Sequence, residues 1–274
     1  MPRFLCFTLE GPLASWGDIA PGEQRTSWTR PSKSAALGLV AAALGIERTE
    51  ETRLAALHEG LGFAVLAEQP GLPVTEFQTE QRPTSPGLNK FRKSNGRAPA
   101  TRGESLEIND IATTTSRRSF HVGVRHRIGL WTRHAASFDL DAIARALKTP
   151  VYAPFLGRRA YSPSRPLAPL ILETPTLEEA LRLYQQADSA LLKSQAREDN
   201  LGARRELPGP QTIKPALRPE LWCDADPGPP LSGRIVETNI RRDSYRATGP
   251  RLFDERLEGR VDVVMSEIAP ETVT

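Results

Sequence analysis

Residues 32–46, Ser-Lys-Ser-Ala-Ala-Leu-Gly-Leu-Val-Ala-Ala-Ala-Leu-Gly-Ile, restrict the fold more than any other stretch of the chain. Ser32 suits a helix N-cap, because its hydroxyl can accept from a free backbone N–H in the first turn. Gly45 suits the stop, where positive φ is often needed. Leu37, Val40, Ala41 and Leu44 recur at helical spacing on one face. The opposite face offers only Ala, Gly and Leu, so the helix must be covered on most sides and the core must form around it.

The entry to this helix carries a conflict. Its first turn holds Lys33 and no acid, with Arg25 and Arg30 just upstream, although the N-terminal end of a helix favours negative charge. An anion bound at the free N–H groups would resolve the conflict, and phosphate is the usual one. Carboxylates from elsewhere in the chain, or solvation, would serve equally. Lys33-Ser34 ends like a nucleotide-binding P-loop, but the Gly-rich loop that must precede it is missing. Arg30 and Lys33 lie off the apolar face, so the fold is expected to survive their replacement.

Charge is segregated along the chain. Residues 77–133 hold eleven Lys or Arg against four acids, a net +7. The whole chain is only +3, which leaves the remainder at −4. Such a division points to contact with a polyanion through one region. The longest uncharged apolar run, residues 34–46, is shorter than the roughly 20 residues a membrane helix needs. The first residues lack a signal-peptide pattern, and two cysteines exclude a disulfide framework or a cysteine zinc site. A cytoplasmic location, no membrane, no metal and no cofactor are the expectations.

At 274 residues the chain can form one large domain or two small ones. Residues 2–9 read as a central strand, apolar on both faces. Gly11-Pro-Leu-Ala-Ser-Trp-Gly17 breaks it, and Trp16 there is expected to plug the core rather than serve as a stacking platform. A short helix at 52–60 and a strand at 62–68 complete a βαβ beginning. Residues 78–116 show no sustained apolar periodicity. The run Arg82-Pro-Thr-Ser-Pro-Gly-Leu-Asn-Lys-Phe-Arg-Lys-Ser-Asn-Gly-Arg97 reads as a protruding arm, too poor in large apolar groups to build a core. Strand-like alternation returns at 119–131, followed by helices at 139–148 and from Thr176 to about residue 186. Residues 188–232 read as an irregular excursion. Closing strands are expected at 234–240 and 260–268, separated by a basic segment at 241–246.

Four motifs in order carry a resemblance: Gly11-Pro-Leu-Ala-Ser-Trp-Gly17, Arg30-Pro-Ser-Lys-Ser34, Leu37-Gly-Leu with Leu44-Gly-Ile-Glu-Arg48, and Tyr152-Ala-Pro-Phe-Leu-Gly-Arg-Arg159. Together, from about residue 3 to 172, they resemble the fifth family of CRISPR-associated proteins, in the CasD branch of type I-E Cascade. The resemblance implies an α+β fold: a ferredoxin-like, RRM-related core at 1–172, with a β-hairpin thumb at about 77–118. A smaller, irregular C-terminal part would follow at 173–274. It implies a non-catalytic subunit that grips the 5′ handle of the CRISPR RNA and caps the foot of an antiviral surveillance complex. The partners would be the CasC-type backbone subunit and the CasA-type large subunit, with target DNA met only through the complex. Carried over by motif, the RNA-binding candidates are Arg25, Arg30, Lys33 and Ser34, with Arg158 and Arg159, and Arg117 and Arg118 at the base of the thumb. Residues 122–126, Val-Gly-Val-Arg-His, depart from a more acidic family segment.

Relatives in type I-C systems cleave repeat RNA without metal, which makes an endoribonuclease the alternative. That chemistry needs a general base for the 2′-hydroxyl and help for the leaving oxygen. His121, His126 and His134 are the nominal candidates, although strict strand alternation would send His121 and His126 to opposite faces. No clustered carboxylates suggest a two-metal nuclease. A solitary general RNA-binding protein fits the charge but not the motifs.

Overall fold

The computed structural model describes residues 1–17, 23–133, 138–200, 218–226, 228–245 and 253–262. In chain order these form β1 (Arg3–Ala14), β2 (Trp16–Gly17), β3 (Gln24–Arg25), β4 (Ser27–Trp28), α1 (Lys33–Ala43), α2 (Glu51–Gly60), β5 (Leu61–Gln69) and β6 (Leu72–Pro83). There follow α3 (Ser85–Asn95), α4 (Arg102–Leu106), β7 (Ile111–Thr132), α5 (Leu140–Lys148), β8 (Leu170–Glu173), α6 (Leu177–Asn200), β9 (Glu220–Asp224), β10 (Ile235–Tyr245) and β11 (Phe253–Val261). The chain divides into two compact units. One comprises Met1–Trp16, Trp28–Leu72 and His121–Thr274; the other comprises Gly17–Ser27 and Pro73–Phe120.

The first unit is a mixed α+β body built on a large sheet with strand order β10-β11-β9-β5-β7-β1-β8. Its pairings are antiparallel, among them Leu5↔Leu130, Phe63↔Leu130 and Ala64↔Cys223. Because β1 and β5 both pair with β7, that strand lies between them instead of the two being neighbours. The C-terminal strands extend this same sheet through β9 against β5.

Alternation along β1 places its side chains on both faces, and both faces are covered. Phe4 and Cys6 pack with Leu177, Ala180, Leu181 and Tyr184 of α6 in one cluster that also takes Trp131, Leu221 and Cys223. Leu5, Phe7 and Leu9 point the other way by the period-two rule and are equally buried. Helix α5 contacts β1 and β8, and α1 contacts α2, α5 and β10. Burial pushes the thiols of Cys6 and Cys223 up to about 12, so both pack as neutral apolar groups.

Helix α1 has the ends its sequence requires. Ser32 Oγ accepts from Ala35 N at 3.0 Å. At the other end Gly45, at φ 71°, donates to Ala42 O, and Ile46 donates to Ala41 O. That is the paired pattern of a Schellman stop, which needs the left-handed backbone that glycine adopts without strain.

The second unit has regular structure where the residues read as a protruding arm without apolar periodicity. Strands β6 and β3 each pair with β7, the latter in parallel with Arg25 beside Arg118. The Ser-Pro-Gly and Asn-Gly sequences that read as turns are the ends of α3. Thr84 Oγ1 accepts from Gly87 N, Pro86 sits in the first turn where its missing donor costs nothing, and Gly96 closes the helix in the left-handed region. Other elements also differ from the pattern reading. Helix α6 runs to Asn200 and β9 occupies 220–224, both inside the stretch that reads as an irregular excursion. The basic segment at 241–245 is part of β10 and not a connection. Residues 201–217, 246–252 and 263–274 lie outside the described part.

Neighbouring positions of α1 separate packing from propensity. Leu37 is fully buried, so Leu37→Ala should lower the unfolding free energy in urea by about 2–5 kcal/mol. Gly38 is exposed to the extent that an added Cβ meets nothing within 4 Å. Gly38→Ala should therefore raise stability by about 0.4–1 kcal/mol.

Candidate nucleic-acid interface

The eight basic and hydroxyl candidates fall in three places. Arg25, Arg117 and Arg118 lie together in the second unit, on the β3–β7 pairing. Arg25 and Arg117 are exposed, and Arg118 is partly buried. Glu23 holds this corner, its carbonyl accepting from Arg117 N at 2.9 Å and its carboxylate from Thr115 Oγ1 at 3.0 Å. Arg158 and Arg159 lie in the first unit, on the loop between α5 and β8. Arg159 is exposed and makes no ion pair among the described residues. Arg158 Nη1 donates to Tyr161 Oη at 2.9 Å.

Arg30, Lys33 and Ser34 occupy the start of α1, and there the chain supplies its own anions. Arg30 is only 4% exposed and Lys33 only 3%. Lys33 N, a first-turn donor, gives its hydrogen to Asp243 Oδ2 at 2.7 Å, and Lys33 Nζ reaches Asp224 Oδ2 at 3.2 Å. Arg30 pairs with Glu258 and lies 3.7 Å from the centroid of the Trp222 ring. Ser34 Oγ is 2.9 Å from Ser32 Oγ.

Arg256 ties these carboxylates together. It donates to Asp243 from Nε and Nη2 at 2.7 and 2.9 Å, to Asp224 at 2.8 Å, and to Glu258 at 3.2 Å. Arg241 adds donors to the carbonyls of Arg30 and Pro31, and Arg133 adds another to Asp224. The conflict between Lys33 and the helix end is thus resolved from inside by β9, β10 and β11. Arg30 and Lys33 are not spare surface charges, and their replacement would strand buried carboxylates.

Among the described residues, five cations here share three carboxylates. Burial lowers the Lys33 ammonium to about 8; Asp224 opposes the shift, while Arg133 and Arg256 add to it. The sequence does contain a signal for this network. Arg241 with Asp243, and Arg256 with Glu258, are opposite charges two apart, which a strand puts on one face.

Three of the eleven basic residues in 77–133 are likewise taken up by the chain's own carboxylates. Arg127 pairs with Glu68 at 2.7 Å and Asp188 at 2.9 Å, Arg125 pairs with Glu10 at 2.8 Å, and Arg133 pairs with Asp224. Arg165 completes this second network on Glu10 and Asp188.

The described histidines of this segment sit away from solvent. Trp16, buried as expected of a core plug, donates from Nε1 to His126 Nε2 at 3.3 Å. Burial pushes His126 down to about 3, with the charges of His121 and Arg30 adding to the effect. His121 is also buried and shifted down by burial. Both lie on the unbroken strand β7, five positions apart, and both are enclosed. His134 lies outside the described residues.

The antiparallel sheet with helices packed on it defines a mixed α+β protein carrying exposed arginines on each of its two units. Over residues 4–215 the chain matches the model of the family described as CRISPR-associated protein (Cas_Cas5), and it belongs to that family. It is 27% identical over 185 residues to the CRISPR system Cascade subunit CasD of Escherichia coli (strain K12), spanning 68% of this chain and 78% of that one. A chain of a solved CRISPR RNA-guided surveillance complex shares the fold at a TM-score of 0.57 and 20% identity, covering 98% of this chain and 95% of the other. A crystal structure of a Cas protein matches at a TM-score of 0.51 and 26% identity, over 94% of each chain.

Two measurements test the buried network. Arg256→Met should cost about 3–5 kcal/mol in urea unfolding, because three buried carboxylates would be without their shared donor. Arg159→Ala should stay within about 0.5 kcal/mol of the parent. Equal, small losses would contradict the assignment. Lys33 also carries a pH signature. Its folded pKa, about 8, lies below its ordinary 10.5, so holding the charge costs stability below pH 8 and the cost disappears as the pH rises to 10.5. The stability of the parent relative to Lys33→Met should therefore grow by up to about 3 kcal/mol across that window. A flat difference would mean that burial does not hold the Lys33 ammonium below its ordinary value.

Proposed function

We propose that this chain is a non-catalytic subunit of a type I-E Cascade complex that grips the 5′ handle of the CRISPR RNA. The observation that carries the reading is the family membership combined with the sorting of charge. Arg25, Arg117 and Arg159 stay exposed and Arg118 and Arg158 partly so, while Arg30, Lys33, Arg125, Arg127 and Arg133 are each held by a carboxylate. Arg25, Arg117 and Arg118 on one unit, and Arg158 and Arg159 on the other, take the phosphate contacts. Arg30 and Lys33 serve by holding the start of α1 in place, with Ser34 beside them.

The order β8-β1-β7-β5, with α1 and α2 before β5 and α5 before β8, supports the ferredoxin-like reading of the core. The pairing of β6 with β7, with α3 and α4 between them, supports a thumb at about 77–118. In this reading the thumb meets the CasC-type backbone subunit, the CasA-type subunit lies close by, and target DNA is encountered only through the assembled complex. The same reading puts the protein in the cytoplasm with its RNA. Among the described residues no helix is long and apolar enough to cross a membrane. A binding role without cleavage is supported by His121 and His126. A general base must come within hydrogen-bond reach of the 2′-hydroxyl, and both imidazoles are enclosed.

A salt titration tests this. The chain is titrated with RNA carrying the host repeat's 5′ tag and with unrelated RNA of equal length. The tag should bind more tightly. Arg117→Ala/Arg118→Ala should flatten the dependence of log K on log salt by about 0.7 for each phosphate that is no longer neutralised. Equal affinity for both RNAs would favour a general RNA-binding protein, and an unchanged slope would remove these arginines from the interface.

A further inference from the structure

The loop between α5 and β8 exposes aromatic side chains that the fold has no internal use for. Tyr152 is 46% exposed and Phe155 is 40% exposed, whereas Leu156 and Tyr161 of the same loop are buried. The loop is not slack. Val151 N donates to Ala43 O at 3.1 Å and Tyr152 N to Ala42 O at 3.2 Å, which fixes its start on the last turn of α1. Ser15 N donates to Leu156 O at 3.0 Å, Leu156 N to Tyr161 O at 2.7 Å, and Ser164 N to Glu10 O at 2.9 Å. Gly157, at φ 86°, lets the backbone pass so close to Ser15 that an added Cβ would stand 1.8 Å from the Ser15 carbonyl oxygen. Pro150, Pro154, Pro163 and Pro166 fix further φ angles, and Arg165 anchors the far end on Glu10 and Asp188.

Exposed rings on a pinned backbone lose little conformational entropy when a partner arrives. The loop's charge indicates which partner. Residues 150–165 contain three arginines and no acid, and Arg159 is exposed and makes no ion pair among the described residues. Arg165 is neutralised by Glu10 and Asp188, which leaves Arg159 as the outward charge beside the rings. An aromatic pair beside an exposed arginine suits single-stranded nucleic acid, with the arginine on the backbone and the rings on the bases. Tyr152 and Phe155 are three residues apart, so their Cα atoms are separated by at most about 11 Å. That is near enough to engage neighbouring bases. We infer that Tyr152 and Phe155 form a base-stacking platform for single-stranded RNA, with Arg159 on the adjacent phosphate. The inference rests on the RNA-binding reading above and adds to it the contact that bases, and not phosphates, make.

The test uses the full chain and tag-length single-stranded RNA carrying 2-aminopurine at successive positions, with affinity, fluorescence quenching and salt slope read together. Tyr152→Ala and Phe155→Ala should each weaken binding by roughly 5- to 150-fold and abolish quenching at one position, with the salt slope unchanged. Tyr152→Phe and Phe155→Tyr should retain both affinity and quenching. Arg159→Ala should instead flatten the slope. If the alanine variants bind and quench like the parent while Arg159→Ala loses slope, the platform is wrong and the handle reading stands. If the parent itself binds no RNA, the handle reading falls and the platform falls with it. If RNA binding is unaffected but the alanine variants no longer co-purify with other subunits, the rings face a protein and the inference is overturned.

Discussion

Arg256 stands where three buried carboxylates, one from each of three adjacent strands, meet the start of helix α1. Without its bidentate bond to Asp243, the carboxylate that caps Lys33 N would have to hold its position against the desolvation cost of an isolated charge. Without Asp224 and Glu258, Lys33 and Arg30 would be unpaired cations in the interior. The last strands of the chain therefore do more than extend the sheet. They supply the charge that lets a nearly apolar helix begin with a lysine, and that helix then carries the backbone anchors of the loop bearing Arg158 and Arg159.

This arrangement sorts the positive charge by purpose. The net +7 of residues 77–133 suggests one polyanion surface, but Arg125, Arg127 and Arg133 are committed to carboxylates of the first unit. Of the arginines that the family motifs single out, the exposed ones, Arg25, Arg117 and Arg159, lie on the second unit and on the α5–β8 loop. Each surface is held by backbone bonds and side-chain anchors, so the arginines are presented from a fixed frame. For phosphate recognition that matters, because a charge already in place loses less entropy when its partner binds.

Much of the core is legible in the sequence because it rests on local rules. The apolar periodicity of α1, its Ser32 cap and its Gly45 stop all appear where the pattern puts them, as does the doubly covered β1. The candidate site is less legible. Arg30 and Lys33 sit in the right motif, but their partners lie about 190 to 230 residues away in the chain, and no local signal couples them. The pairs Arg241/Asp243 and Arg256/Glu258 are hard to see because the first of them lies in a basic run that resembles a connection. Helix α3 is masked for the opposite reason: the Pro and Gly at its two ends resemble marks of a turn when they are marks of a helix beginning and ending. The exposed Tyr152 and Phe155 lie inside a recognised motif, but only burial separates a ring that packs from one that waits for a partner.

The start of α1 is occupied by the chain's own carboxylates, and we propose that RNA is held elsewhere. Determining the structure of the chain with its tag RNA in the assembled complex tests this most directly. Asp243 should still be bonded to Lys33 N and Arg30 to Glu258, with phosphates at Arg25, Arg117, Arg118 and Arg159. A phosphate seated on Lys33 N with Asp243 displaced would contradict it.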